Sequence, residues 1–176
     1  MMKLFIPGLP APGGSKTAYA IKKDGHYTGR ANVTDAAGKK NKQWKTDVKY
    51  FVAKAMRREP PTDKPLLVMM TFYVPRPMGD YGTGRNAGKL KPSASKFRVK
   101  MPDVLKLGRS TEDAMKNVVW KDDNANVTVV LTKLYANPKQ QIGAAIFIQE
   151  LTEIAQIADY IVPQRNEEIT LEDLKW

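Results

Sequence analysis

The stretch Pro102–Val127, PDVLKLGRSTEDAMKNVVWKDDNANV, decides how this chain is read. Val104, Leu107, Thr111, Ala114, Met115 and Val118 recur at i, i+3, i+7, i+10, i+11 and i+14, so the spacing predicts a helix over 104–117 with one face packed on a sheet. Asp103 stands at the N-terminus of that helix, and Asp122-Asp123 stands at the mouth of the β-like run that follows. Each has an ordinary reading, Asp103 as a helix cap and the pair as a turn. Carboxylates gathered in one stretch repel unless a cation joins them, which makes a hard-metal site facing a polyanion the competing reading.

The charge of the whole chain favours the polyanion. It carries 29 Lys and Arg against 18 Asp and Glu. Residues 151–176 hold six acids and two bases, which leaves 27 bases against 12 acids, a net +15, in residues 1–150. A field of that sign suits nucleic acid and salt-sensitive binding. The 176 residues fit one domain, 1–150, followed by an acidic C-terminal extension, 151–176. With no cysteine, disulfides and thiolate metal sites are excluded. Neither a signal peptide nor a run of roughly 20 apolar residues is found, so a cytoplasmic, membrane-free protein is expected.

Outward from the central stretch, Lys3–Ile6 reads as a strand running into GLPAPGGSKT at Gly8–Thr17. A phosphate-binding loop ending at Lys16-Thr17 needs glycine at positions 10 and 15, where this chain has Pro10 and Ser15, and proline removes the N–H donors such a loop uses. Residues 18–37 alternate weakly and carry His26, the only histidine, in a polar turn. In Gly38–Glu59, Trp44, Val48, Phe51, Val52, Ala55 and Met56 mark one helical face, lysines and arginines fill the rest, and Pro60-Pro61 ends it. Leu66–Val74 reads as a mostly buried strand with Met69 and Met70 as core fillers. The segment 76–100 is a long loop holding Arg76, Arg85, Lys89, Lys91, Lys96, Arg98 and Lys100 against Asp80 alone, a candidate grip on a nucleic-acid backbone. Val127–Ala136 and Gly143–Gln149 are expected to pair as a hairpin across Asn137-Pro138, and Leu151–Ile161 to open the extension with a helix.

The ordered acids of 102–127 resemble the signature of the RusA family of Holliday junction resolvases, small phage and bacterial endonucleases of DNA recombination and repair. That pattern is Asp-x-Asp, a basic residue four positions after the second Asp, Asp-Ala-Leu, then Asp-Asp-x-Gln-Val. Here Asp103 matches the first Asp, Arg109 the basic residue, and Asp113-Ala114-Met115 the middle block. Asp122-Asp123-Asn124-Ala125-Asn126-Val127 matches the last block with one extra residue. The resemblance implies an α+β domain, a mixed sheet packed against two main helices, that forms a homodimer on branched DNA. It also implies Mg²⁺-dependent phosphodiester cleavage with Asp103, Asp113, Asp123 and Arg109 catalytic and with Asp103, Asp122 and Asp123 as metal ligands. Mg²⁺ takes oxygen ligands and keeps several waters, so two or three carboxylates suffice.

One position departs. Leu105 stands where the pattern has its second Asp. Either Glu112, two turns along the same helix face, builds a displaced site with Asp113 or Asp123, or metal affinity has fallen and the chain binds junctions while cutting them weakly or not at all.

Overall fold

The computed structural model describes residues 1–14, 16–35, 38–137 and 140–151; the helix expected to open the C-terminal extension lies outside them. Four strands, β1 (Met2–Pro7), β4 (Leu66–Val74), β5 (Asn126–Tyr135) and β6 (Gly143–Glu150), form one mixed sheet in the order β1-β6-β4-β5. β6 runs antiparallel to both β1 and β4, and β4 runs parallel to β5. Two helices, α1 (Gly38–Met56) and α2 (Val104–Met115), pack on one face of this sheet and on each other. β2 (Lys16–Lys23) and β3 (His26–Asp35) make a separate two-stranded ribbon. The architecture is the expected α+β arrangement.

The expected hairpin of the last two strands does not form. β5 and β6 follow each other in sequence, but β4 lies between them and bonds to both. A parallel β4–β5 pair needs a long crossover, and residues 75–125 supply it with the loop and α2. β6 then takes the free edge of β4, where it is also covered by β1.

Alternation within β4 sorts its residues onto two faces. Leu66, Val68, Met70, Phe72 and Val74 are buried under the helices, whereas Met69 is 41% exposed on the opposite face. Met70 is therefore a core filler and Met69 is not, because adjacent residues of a strand point to opposite sides. The core joins Ile6, Trp44, Val48, Val52, Leu107, Met115, Trp120 and Ile146 to these strand residues. The aromatic Trp44 is core, as its helical period requires. Its Nε1 donates to Thr111 Oγ1 (3.0 Å), which donates to Leu107 O (2.9 Å), so the buried threonine of α2 is satisfied.

A second polar junction fixes the Pro-rich segment after β1. Asn41, buried on α1, donates through Nδ2 to Ala11 O, Pro12 O and Ser110 Oγ, and Gly13 N–H donates to Lys106 O (3.0 Å). The segment is thereby held against both helices, and the β2–β3 ribbon springs from its end.

Candidate active site and nucleic-acid interface

Asp103 occupies the N-cap position of α2, yet its side chain makes no capping hydrogen bond. Its carboxylate is 61% exposed, and among the described residues only Lys106 comes within ion-pair distance, at 3.7 Å. Beside it, Arg98, Val99, Val104, Leu105, Leu131 and Lys133 line an open concavity of about 530 Å³. Lys133 Nζ, on β5, donates to Lys100 O (2.8 Å) and Pro102 O (2.5 Å), which ties the end of the loop to the strand. Burial and the Arg98 charge hold the Lys133 ammonium below its ordinary pKa, with Asp103 opposing. Lys133 was not singled out from the sequence, because nothing in an alternating strand marks which lysine will face an acid.

The other acids sit at the opposite end of α2. Asp122 and Asp123 share Lys116 at 2.7 and 3.0 Å, and Asp122 Oδ1 also accepts from Asn124 N–H (3.2 Å), so the turn reading applies to Asp122. The Lys116 ammonium, then the Asn124 amide and the neighbouring Asp123 carboxyl, hold Asp122 below the usual carboxylate range, while both acids hold Lys116 well above the usual lysine range. Asp113 pairs with Lys45 of α1 at 2.9 Å. Glu112 accepts from Asn126 Nδ2 at 2.6 Å, at the entry to β5. Arg109 is exposed and has no ion pair among the described residues.

The fold therefore divides the expected metal ligands. α2 has 12 residues, so Asp103 and the Asp122-Asp123 end stand roughly 18 Å apart along its axis. Among the described residues no three Asp, Glu or His side chains come together as ion ligands. The donor chemistry suits Mg²⁺, but the arrangement within a single chain does not enclose an ion. Glu112 faces Asn126 at the far end of α2 and leaves the space beside Leu105, which is 73% exposed, without a replacement carboxylate.

The basic loop is built around Arg76. Its side chain is 3% exposed, pairs with Asp80 (2.9 Å), donates to Ser95 O (2.7 Å) and Ala136 O (3.3 Å), and lies over the Tyr135 ring at 5.0 Å. Arg98 donates twice to Met101 O (2.8 and 2.6 Å) and lies over the same ring at 5.5 Å. Lys91 Nζ donates to Gly79 O (2.7 Å). These three bases shape the loop. Arg85, Lys89, Lys96 and Lys100 are exposed and unpaired by acids among the described residues, and they present the loop's outward charge.

The site thus combines a mixed sheet backed by two helices, acids at both ends of one helix, and a basic loop pinned near the Asp103 end. The profile of the family described as Endodeoxyribonuclease RusA matches residues 21–144, from the ribbon to the start of β6. The chain belongs to the RusA endodeoxyribonuclease family. No curated protein gives a significant match to it.

Proposed function

We propose that this protein is a structure-selective endonuclease that cuts branched DNA, four-way Holliday junctions above all, as a homodimer dependent on Mg²⁺ in the cytoplasm of a bacterial or phage-infected cell. The observation that carries the reading is the family's ordered acid set around α2, with the Asp103 carboxylate left uncapped beside Lys133 and the basic loop. Residues 1–150 are the nuclease domain, and 151–176 an acidic extension.

Two copies reconcile the separated acids. β5 pairs within the sheet only with β4 among the described residues; Lys96 and Phe97 of the loop cover its outer edge at Tyr135 and Leu134, and Val127, Val129 and Val130 are exposed along the remainder. Antiparallel pairing of the uncovered 126–133 edges of two copies about a two-fold axis sets the Asn126 end of one copy against the Lys133 end of the other. Through Lys133 that second end adjoins Asp103, so Asp122 and Asp123 of one copy meet Asp103 of the other. Asp103 of one copy with Asp122 and Asp123 of the other would hold a divalent ion, which when bound would supply Lewis-acid polarisation of a phosphate. Arg109 and Lys133 neutralise charge on the phosphate, and Lys116 holds Asp122 ionised and orients both Asp122 and Asp123. Asp113 orients Lys45 at the α1–α2 contact. Arg85, Lys89, Lys96 and Lys100 follow the backbone of a junction arm, while Arg76, Lys91 and Arg98 keep the loop in shape.

The second reading, a junction binder that cuts weakly or not at all, is favoured by Leu105, for which Glu112 offers no substitute. Incubating the protein with a labelled four-way junction and with linear duplex, with and without Mg²⁺, separates the two. Metal-dependent nicking of the junction, abolished in Asp123→Asn, supports the enzyme. Tight junction binding without nicking in any divalent metal refutes it, and cutting gained by Leu105→Asp then locates the defect.

A further inference from the structure

The β2–β3 ribbon contributes none of the acids around α2 and none of the bases of the 76–100 loop. Every side chain from Ala18 to Asn32 is exposed, including Tyr19 (60%), Ile21 (40%) and Tyr27 (70%). Among the described residues the two strands pair only with each other, and such a pair is marginal in water, so the ribbon is expected to gain its full order against a partner. Its composition indicates which partner. Lys22, Lys23 and Arg30 outnumber Asp24 over these residues, and Lys22 Nζ lies 4.5 Å from the Tyr27 ring centre. The paired Ala20 and Ala31 keep the middle of the ribbon thin. A surface made for another protein would carry a continuous apolar stripe, whereas here three isolated large apolar side chains stand among cations and small residues.

The root of the ribbon is equally informative. The segment leading into β2 is bonded through Gly13 to Lys106 O on α2 and through Ala11 and Pro12 to Asn41 on α1. The ribbon thus leaves the body beside the half of α2 that carries Asp103, Lys106 and Arg109. β2, at eight residues, reaches about 26 Å, or roughly seven to eight base pairs of duplex.

We propose that the β2–β3 ribbon is a second DNA-binding element, an arm laid into the major groove of a junction arm, with Lys22, Lys23 and Arg30 on phosphates and Tyr19 and Tyr27 against bases or sugars. The major groove admits a two-stranded ribbon of this kind. The arm and the basic loop then hold the DNA from two elements, on either side of Asp103. This rests on the DNA-binding reading above and adds a site to it.

The test uses the full chain with two variants, Lys22→Ala/Lys23→Ala/Arg30→Ala and Tyr19→Ala/Tyr27→Ala, and a fluorescent four-way junction titrated between 50 and 200 mM salt. The triple variant is expected to lower the slope of log K against log salt by about 2.7, three phosphates at about 0.9 each. The tyrosine variant is expected to weaken binding about tenfold or more with an unchanged slope, and hydroxyl-radical footprints of both variants are expected to lose protection over roughly seven base pairs. Unchanged affinity, slope and footprint in variants that melt like the parent overturn the arm, even though the parent still binds DNA. A parent that binds no DNA defeats the underlying reading instead. Loss of the dimer in sedimentation, with DNA affinity per subunit retained, overturns the arm by assigning the ribbon to self-association.

Discussion

Replacing Arg85, Lys89, Lys96 and Lys100 together by Gln removes the loop's outward charge and leaves its internal bonds in place. The structure sets the magnitude by separating these bases from Arg76, Lys91 and Arg98, which are spent on Asp80, Gly79 O and Met101 O. Four phosphates at about 0.9 counterions each lower the salt slope of junction binding by about 3.6. Between 50 and 200 mM salt, that slope corresponds to a difference of roughly 150-fold in how far affinity falls. If all seven bases met phosphates, the loop would account for a slope of about 6.3. Fluorescence anisotropy on a labelled junction at five salt concentrations resolves the two values. Three controls, Arg76→Gln, Lys91→Gln and Arg98→Gln, are expected to leave the slope unchanged, where a phosphate contact would lower it by about 0.9 each, while Arg76→Gln lowers thermal stability, because it strands Asp80 and two carbonyls. A change below about one for the fourfold variant would falsify the assignment of these residues to the DNA backbone. Equal slope changes from the three controls would refute the structural division.

Asn41→Ala is expected to destabilise the domain by about 2–4 kcal/mol, since it leaves two carbonyls and Ser110 Oγ buried without their donor. For a domain of this size that lowers Tm by roughly 5–15 °C, and a shift under about 2 °C in calorimetry contradicts the network. Gly143→Ala should cost more than about 2 kcal/mol in urea denaturation, because the residue has φ +159° and its new Cβ would press into Ile6 O and the Phe5 ring; an unchanged midpoint rejects this close approach. Lys116→Met should raise the Asp122 pKa toward its ordinary value of 3.8, followed by carboxyl NMR titration. In the parent the pair's stabilisation is complete above that ordinary value and is lost as pH falls through the lowered folded value, so Lys116→Met flattens this part of the acid-unfolding profile; identical profiles would argue against the shared ammonium.

Much of the framework follows from periodicity. The short apolar run Leu66–Val74 and the stripes of 38–56 and 104–115 specify a strand and two amphipathic helices, because a run of that length suits a buried strand and burial of one helix face repeats with the helical period. Pairing of strands is another matter. Val127–Ala136 and Gly143–Gln149 look like a hairpin because a short connection favours neighbours, yet β4 competes successfully for both by offering two edges and a covered face. The ribbon is the converse case. Weak alternation over 18–37 hides a real strand pair, since a ribbon exposed on both faces has no reason to alternate.

The sequence by itself determined the family, the basic body and the acids available for chemistry, because residue identity and order carry those properties without a fold. Tertiary structure alone decided how they are distributed. It sent Arg76 inward and Arg85 outward from the same loop, left Asp103 uncapped, and placed Asp122 and Asp123 a helix length away. It also bound Glu112 to Asn126, away from the gap at Leu105. Charge and ligand type are properties of one residue, whereas pairing, burial and separation depend on which distant residue arrives beside it, and here on how α2 lies across β5.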